Sequence, residues 1–274
     1  MMGVSMKRIC LLVMVCGSVL LAGCAGMGGV GAPGVGSPVA DRPLLDLPPA
    51  NESERGAKVH VELGTAYFEV ARYDVALDEA RVALMHRAGH APAYHLMGLV
   101  YMFIDDIPAA RENFLRALSA APNDPDFNNS YGWFQCLNGE AEDGLRRLEI
   151  ASRNPYYRFP SRPQTNAGLC HMRQGQFDLA ETRFRRALAL DPENLAAQFG
   201  LADVSYRRGD YLTAQRLLVA MHRQTEPTAE SVWLGLRVER KLGNRSAEAS
   251  YAAQLEGRFE DSPQYLLMKK GEYE

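Results

Sequence analysis

The chain has few cysteines, few tryptophans and no run of basic residues. Its 274 residues include five cysteines and two tryptophans, and its formal net charge is −3. No two cysteines have the Cys-x2-Cys spacing of a common zinc site. Non-specific nucleic-acid binding requires Lys and Arg clustered against phosphates, so we expect no nucleic-acid partner.

The motifs of common enzyme classes are also missing. The glycines are not followed by Gly-Lys-Ser/Thr, and there is no Gly-x-Ser-x-Gly nucleophile elbow. His86 and His90 have the spacing of two ligands on one helix face, but no third ligand is in phase with them. We therefore predict a protein that is not an enzyme and that carries no metal or other cofactor.

The first segment predicts a lipoprotein signal peptide, residues 1–23. Two basic residues precede an apolar run at 9–22, which is shorter than the span of about 20 residues that a bilayer requires. The stretch Leu21-Ala22-Gly23-Cys24 resembles a bacterial lipobox. That resemblance implies a lipid on Cys24, and Ala25 after it implies an outer-membrane location with the folded domain in the periplasm. The alternative is a plain signal peptide with a coincidental cysteine.

Residues 24–56 predict a flexible tether that follows the lipid. Glycine, proline and small residues dominate, and no apolar period is present. A Gly-rich coil of about 30 residues spans roughly 30 Å between its ends. The tether would therefore hold a folded domain near the membrane surface.

From residue 57 the sequence repeats with a period of 34 residues. Tyr131-Gly132 keeps this phase, and Ala167-Gly168 arrives two residues late. Residues 34 apart match at Gly64 and Gly98, Tyr67 and Tyr101, Ala76 and Ala110, and Ala83 and Ala117. The small residues allow the first helix of each unit to approach the second closely, since larger ones would force the helices apart.

This pattern resembles the tetratricopeptide repeat (TPR), a helix–turn–helix unit whose helices are termed A and B. The resemblance implies an all-α, right-handed TPR superhelix of about six helix–turn–helix repeats over residues 57–262. The predicted units are 57–90, 91–124, 125–160, 161–194, 195–228 and 229–262. The C-terminal segment at 263–274 is predicted to be a capping helix remnant or a tail.

In TPR proteins the A helices line the concave face, and positions 5, 9 and 12 of each unit project into it. Here these positions are rich in Met and aromatic residues, which suit an amphipathic helix or an extended apolar segment of a partner. The alternative is that some of these side chains pack between helices as core. We predict a partner groove made of Leu99, Met102, Asn128, Asn129, Trp133, Asn166, Leu169, Met172, Phe199 and Tyr206.

A narrower resemblance rests on pieces that a generic TPR does not require. They are Asn128-Asn129, Tyr131-Gly132, Phe134, Cys136 and Gly139 in the third unit, Asn166-Ala167-Gly168-Leu169-Cys170 in the fourth, and Pro155-Tyr156 and Trp233-Leu234 elsewhere. They resemble the type IV pilus biogenesis and stability lipoproteins of the PilW/PilF family. The resemblance implies a pilotin-like role at the outer membrane, with a pilus secretin subunit or another pilus-assembly protein held in the groove. The alternative function is an envelope scaffold that recruits peptidoglycan enzymes or barrel-assembly components.

Cys136 and Cys170 raise the question of a disulfide, because an exported chain meets an oxidising compartment. Cys136 is position 12 of the third A helix, and Cys170 is position 10 of the fourth. Positions two apart point roughly 200° apart on a helix, so the two side chains can face each other across stacked helices. With helix axes about 8–10 Å apart, the Cα atoms come within the disulfide range. We predict this disulfide, and the alternative is two buried thiols.

Overall fold

The computed structural model describes residues 42–273, and this part of the chain is a stack of paired α-helices without a β-strand. The predicted all-α TPR fold is confirmed. The helices are α1 Glu52–Glu69, α2 Tyr73–His86, α3 Ala91–Phe103, α4 Ile107–Ala120, α5 Pro125–Leu137, α6 Ala141–Arg153, α7 Ser161–Arg173, α8 Phe177–Leu190, α9 Leu195–Arg207, α10 Tyr211–Gln224, α11 Ala229–Leu242, α12 Arg245–Arg258 and α13 Pro263–Lys270.

Each odd-numbered helix up to α11 is an A helix, and the even-numbered helix after it is its B partner. Every A helix packs against its own B helix and against the A helix of the next unit. Side-chain caps fix several helix starts. Asp124, for example, accepts hydrogen bonds from the backbone N–H groups of Asp126 and Phe127 at the start of α5. No helix within residues 42–273 is both long enough and apolar enough to cross a membrane.

The A–B turn of each unit contains one residue in the left-handed backbone conformation. Glycine occupies this position in the last four units, with φ between 70° and 84°. The first two units instead use Ala71 at φ 59° and Asp105 at φ 63°. A Cβ atom is unfavourable in this conformation, so these two turns carry backbone strain that the glycine turns do not.

A second set of glycines sits where the A and B helices cross. A Cβ on Gly98 would lie 2.7 Å from the Phe114 ring, and one on Gly168 would lie 2.6 Å from the Phe184 ring. In the third unit the B helix has Leu148 at the matching position. There a Cβ on Gly132 would lie 2.8 Å from the carbonyl oxygen of Gly144. The glycine therefore makes room for a phenylalanine ring in units 2 and 4 and for backbone in unit 3.

The predicted flexible tether is wrong in its last part. Helix α1 begins at Glu52, and residues 43–49, here called the strap, lie against the domain. The Leu44 N–H donates to Asp124 Oδ2 at 2.8 Å, and Lys58 Nζ donates to the Leu45 and Leu47 carbonyls at 2.9 and 3.0 Å. Two leucines pack on core clusters, which a coil of small residues could not do. The signal peptide at 1–23 and Cys24 lie outside the described residues.

Of the two expectations for the C-terminal end, the structure agrees with the capping helix, because residues 263–270 form α13. Ser262 caps this helix by accepting from the Tyr265 N–H, and Gly271 ends it in the left-handed conformation. The apolar side chains Tyr265, Leu267 and Met268 pack on a core cluster formed by α11 and α12. The helix therefore covers the end of the stack, which the last repeat would otherwise expose.

Candidate protein-interaction groove

Half-buried apolar side chains run along the A helices of units 2 to 5. Each lies at the margin of a core cluster, with part of its surface open to solvent. Leu99 and Met102 flank the cluster that contains Phe114, and Trp133 flanks the cluster that contains both cysteines. Leu169, Met172 and Phe199 continue the series on α7 and α9. These predicted residues thus form an apolar surface that spans four units.

Three other predicted residues contribute less open surface. Asn129 is 9% exposed, and its Oδ1 accepts a hydrogen bond of 3.0 Å from Asn166 Nδ2. Tyr206 is 8% exposed and packs against α10 and α11 side chains. The Asn129–Asn166 bond joins α5 to α7 across the groove floor. It aligns the third and fourth A helices and leaves the half-buried amide of Asn166 at the surface.

The sulfur atoms of Cys136 and Cys170 are joined in a disulfide, with 5.5 Å between the two Cα atoms. Both residues are buried, and Trp133 packs on their cluster from the groove side. A Cβ on Gly144 would lie 2.7 Å from Cys136 Sγ, so the B helix of the third unit presses directly on the bridge. The disulfide therefore ties α5 to α7 immediately beneath the centre of the groove.

The histidines in the described range do not form a metal site. The His86 ring stacks on His60 at 5.1 Å between centroids, whereas His90 is buried at the start of α3. Burial lowers the pKa of His95 to about 4, and its Nε2 lies 2.9 Å from Ser130 Oγ. Residues 42–273 contain no group of three or more His, Cys, Asp or Glu side chains that could hold a metal ion.

Two aspartates at the start of α5 form a buried acidic pair near the strap. Burial, and then the neighbouring carboxylate of Asp124, raises the pKa of Asp126 to about 6. Burial also raises the pKa of Asp124, although the backbone N–H groups of Leu44 and Phe127 partly offset that effect. A desolvated carboxylate is less stable in its charged form, so this pair makes the domain sensitive to pH.

Comparison with known proteins places these features in a family. Tetratricopeptide repeat families match residues 91–124 and 165–218. The type IV pilus assembly protein PilF of Pseudomonas aeruginosa is 25% identical over 206 residues, which are 75% of this chain and 82% of PilF. The crystal structure of PilW, described as a widely conserved type IV pilus biogenesis factor, has 27% identity and a TM-score of 0.72. The match covers 80% of this chain and all of that one.

The chain is a TPR protein related to the type IV pilus proteins PilF and PilW. The family resemblance predicted from the sequence is thereby confirmed. The solved structure of P. aeruginosa PilF agrees in fold, with a TM-score of 0.70 at 23% identity over 81% of this chain and all of that one.

The prediction that Asn128 lines the groove of this TPR protein is wrong. Asn128 is fully buried, and its Nδ2 donates to the Pro122 and Asp124 carbonyls at 2.8 Å each. Its Oδ1 accepts from Arg147 Nη1 at 3.2 Å. Asn128 therefore fixes the loop between units 2 and 3 and cannot contact a partner. Asn128 and its neighbour Asn129 point in different directions from the helix, so the pair is not one surface feature.

The predicted groove residues end in the fifth unit, but the groove continues into the sixth. The 34-residue period places Trp233, Arg237 and Arg240 at positions 5, 9 and 12 of the sixth A helix. Arg237 lies over the Tyr206 ring at 4.4 Å, so this set continues the predicted groove. The period itself was the signal that could have identified these residues.

Proposed function

We propose that this TPR protein is a lipid-anchored scaffold of type IV pilus biogenesis. In this proposal it resides at the outer membrane, with its domain in the periplasm. There it promotes secretin assembly or outer-membrane localisation, or stabilises the pilus, by holding a segment of a partner protein. The observation that carries the proposal is the half-buried apolar groove of units 2 to 5 in a chain related to PilF and PilW.

The groove supports capture of an apolar partner segment. Leu99, Met102, Trp133 and Leu169 are each partly exposed and backed by a close-packed core. A partner side chain placed on such a surface removes apolar area from water, at about 25 cal/mol per Å². The disulfide beneath Trp133 keeps this surface in one shape before binding, which lowers the entropy cost of association.

The lipid on Cys24 would add to this affinity without any new contact. A tethered domain meets a membrane-bound partner at a high effective concentration. Because the described domain begins with the strap, the free tether in this proposal is shorter than residues 24–56. The domain would then search a smaller volume close to the membrane surface.

The first experiment compares secretin multimers on semi-native gels in a deletion strain that is complemented with variants. We expect deletion to abolish multimers, and we expect the double variant Leu99→Ala and Trp133→Ala to restore few of them. Truncation of central apolar contacts commonly costs more than about 1–2 kcal/mol of binding. Multimers at wild-type level in the deletion strain would refute the proposed role in secretin assembly.

A matched control separates groove loss from general destabilisation. Leu179 and Leu212 are 51% and 64% exposed and lie on α8 and α10, B helices that carry none of the predicted groove residues. The double variant Leu179→Ala and Leu212→Ala removes similar apolar surface elsewhere and should restore multimers fully. Because Leu99 and Trp133 also pack on core clusters, thermal unfolding is measured to establish that each double variant is folded at the assay temperature. Full complementation by the groove variant would exclude the groove as the capture surface.

A further inference from the structure

The concave face of the sixth unit is occupied by the chain's own Tyr273. The Tyr273 ring stacks on Trp233 with 5.5 Å between ring centroids and an interplanar angle of 24°. Its backbone carbonyl accepts a hydrogen bond of 2.8 Å from Arg237 Nε. The guanidinium group of Arg240 lies over the Tyr273 ring, 4.0 Å from the ring centroid. One residue thus receives a ring stack, a cation–π contact and a main-chain hydrogen bond.

The three residues that hold Tyr273 are the groove positions of their unit. Trp233, Arg237 and Arg240 stand at positions 5, 9 and 12 of their unit, the positions from which the earlier units contribute to the groove. We call these three residues the clamp. The clamp reaches the fifth unit through Arg237, which also lies over Tyr206. Tyr273 therefore occupies the end of the same groove in the manner of a bound peptide.

The clamp is built on a helix with many buried residues, whereas the helix that leads into the occupying segment has none. Helix α11 has eight buried residues, but α13, which leads into Tyr273, has none. Leu266 on α13 is 55% exposed, and Gly271 turns the chain back toward α11 with φ 74°. Segments with few buried contacts open locally at low free-energy cost. Release of residues 271–273 would leave α11 intact and its groove face open.

The charges around the clamp indicate what else it could bind. Besides Arg237 and Arg240, Lys269 and Lys270 supply positive charge at the end of α13. Arg240 is paired with Glu248, and Arg237 Nε donates to the Tyr273 carbonyl. The occupying residues are Gly271-Glu272-Tyr273, in which the aromatic residue follows an acidic one. A cationic rim favours such a segment over a basic one.

We propose that the clamp is a peptide-binding subsite in which Tyr273 is a displaceable internal ligand. Its external ligand is an extended partner segment with an aromatic side chain beside acidic residues. The ring would take the place of Tyr273 on Trp233, and a main-chain carbonyl would accept from Arg237. This inference rests on the proposed scaffold function and names the chemistry of one partner segment.

The test measures binding of a fluorescein-labelled peptide, Lys-Lys-Gly-Glu-Tyr-Glu, to the detergent-purified full chain by anisotropy. The variant Tyr273→Ala vacates the clamp without altering it. We expect this variant to bind the peptide at least about tenfold more tightly than the wild-type chain, where the internal segment competes at high effective concentration. A peptide with Ala in place of Tyr should not bind. Equal affinity of wild type and Tyr273→Ala, or equal binding of the two peptides, would overturn the proposal.

Two further variants in the Tyr273→Ala background identify the contact. Arg237→Met removes the donor and the charge but keeps the side-chain stem, and we expect about tenfold weaker peptide binding. Lys241→Met removes the same charge from an exposed site on the same helix and should leave the affinity unchanged. Circular dichroism and thermal unfolding establish that each variant is folded. Equal weakening by both changes would reduce the site to non-specific charge attraction and overturn the proposal.

Self-association and the cellular assay give independent outcomes. If wild-type chain forms dimers in sedimentation that Tyr273→Ala abolishes, the clamp binds the segment of a second copy, and an external partner is excluded. The secretin assay tests the scaffold function through Leu99 and Trp133, whereas the peptide assay uses neither residue. Loss of one result therefore does not imply loss of the other.

Discussion

Removal of the Cys136–Cys170 disulfide should both destabilise the domain and divide it. The bridge closes a loop with a sequence separation of 34 residues. The chain-entropy relation for a loop of that length gives about 4 kcal/mol at 25 °C. In a repeat protein, stability is approximately a sum of unit terms and nearest-neighbour interface terms. Because the bridge joins α5 to α7, most of its loss falls on the interface between units 3 and 4.

The two tryptophans report on opposite sides of that interface. Trp133 lies in unit 3 beside the bridge, and Trp233 lies in unit 6. In a Trp233→Phe chain, urea unfolding is followed through Trp133, and in a Trp133→Phe chain through Trp233. With the bridge intact, we expect the two midpoints to coincide. After reduction, the free energy of unfolding at Trp133 should fall by about 3–4 kcal/mol, and the two midpoints should separate.

The double variant Cys136→Ala and Cys170→Ala controls for effects of the reductant. Alanine is preferred to serine, since a hydroxyl buried beside Leu148 without a partner would add its own cost. This variant should behave like the reduced chain, with a further small loss from the missing sulfur contacts. A loss below about 1 kcal/mol together with coincident midpoints would refute the reasoning. So would alkylation of both cysteines in the unfolded, unreduced chain.

Two further predictions concern single side chains. Asp126→Asn should gain about 1–2 kcal/mol of unfolding free energy over wild type between pH 4 and pH 7. The raised pKa means that the folded chain binds more protons than the unfolded chain in this window, so the charged Asp126 costs stability as pH rises. A pH slope in Asp126→Asn that equals the wild-type slope would contradict the assignment. Ala71→Gly should stabilise the domain by up to about 1 kcal/mol, because glycine removes the backbone strain of this turn. Gly139→Ala at the matching turn should destabilise the domain by about 1–2 kcal/mol. A loss of thermal stability in both variants would refute the presence of strain at Ala71.

The repeated part of the fold was readable from the sequence because its determinants recur at a fixed distance. The glycines that admit Phe114 and Phe184 and the residues of the A–B turns all follow one period. Each unit is a local helical hairpin, so a local pattern specifies it and stacking follows from the shared apolar faces. The apolar groove side chains followed from the same register.

Single contacts between distant segments were not readable. The strap has the composition of a linker, yet Leu44 bonds to Asp124, which lies 80 residues away in the sequence. Likewise, Tyr273 bonds to Arg237, although α12 and α13 lie between them in the sequence. Each of these contacts occurs once, so no sequence period predicts it. The prediction for Asn128 was wrong for another reason. Adjacent residues on a helix face different directions, so the exposure of Asn128 depends on its exact position within one helical turn.

The third unit concentrates features that the other units lack, and together they account for a fixed groove centre. The A and B backbones are closest at Gly132 and Gly144, the disulfide starts there, and Trp133 lies on it. The strap adds a second restraint, because Asp46 pairs with Arg158 in the loop that holds the two inserted residues. The disulfide spans this loop, so it limits how far the insertion can act as a hinge. Partner capture would then require little ordering at Leu99, Trp133 and Leu169, and adaptation would occur at the clamp, where the occupying segment is the least buried part of the stack.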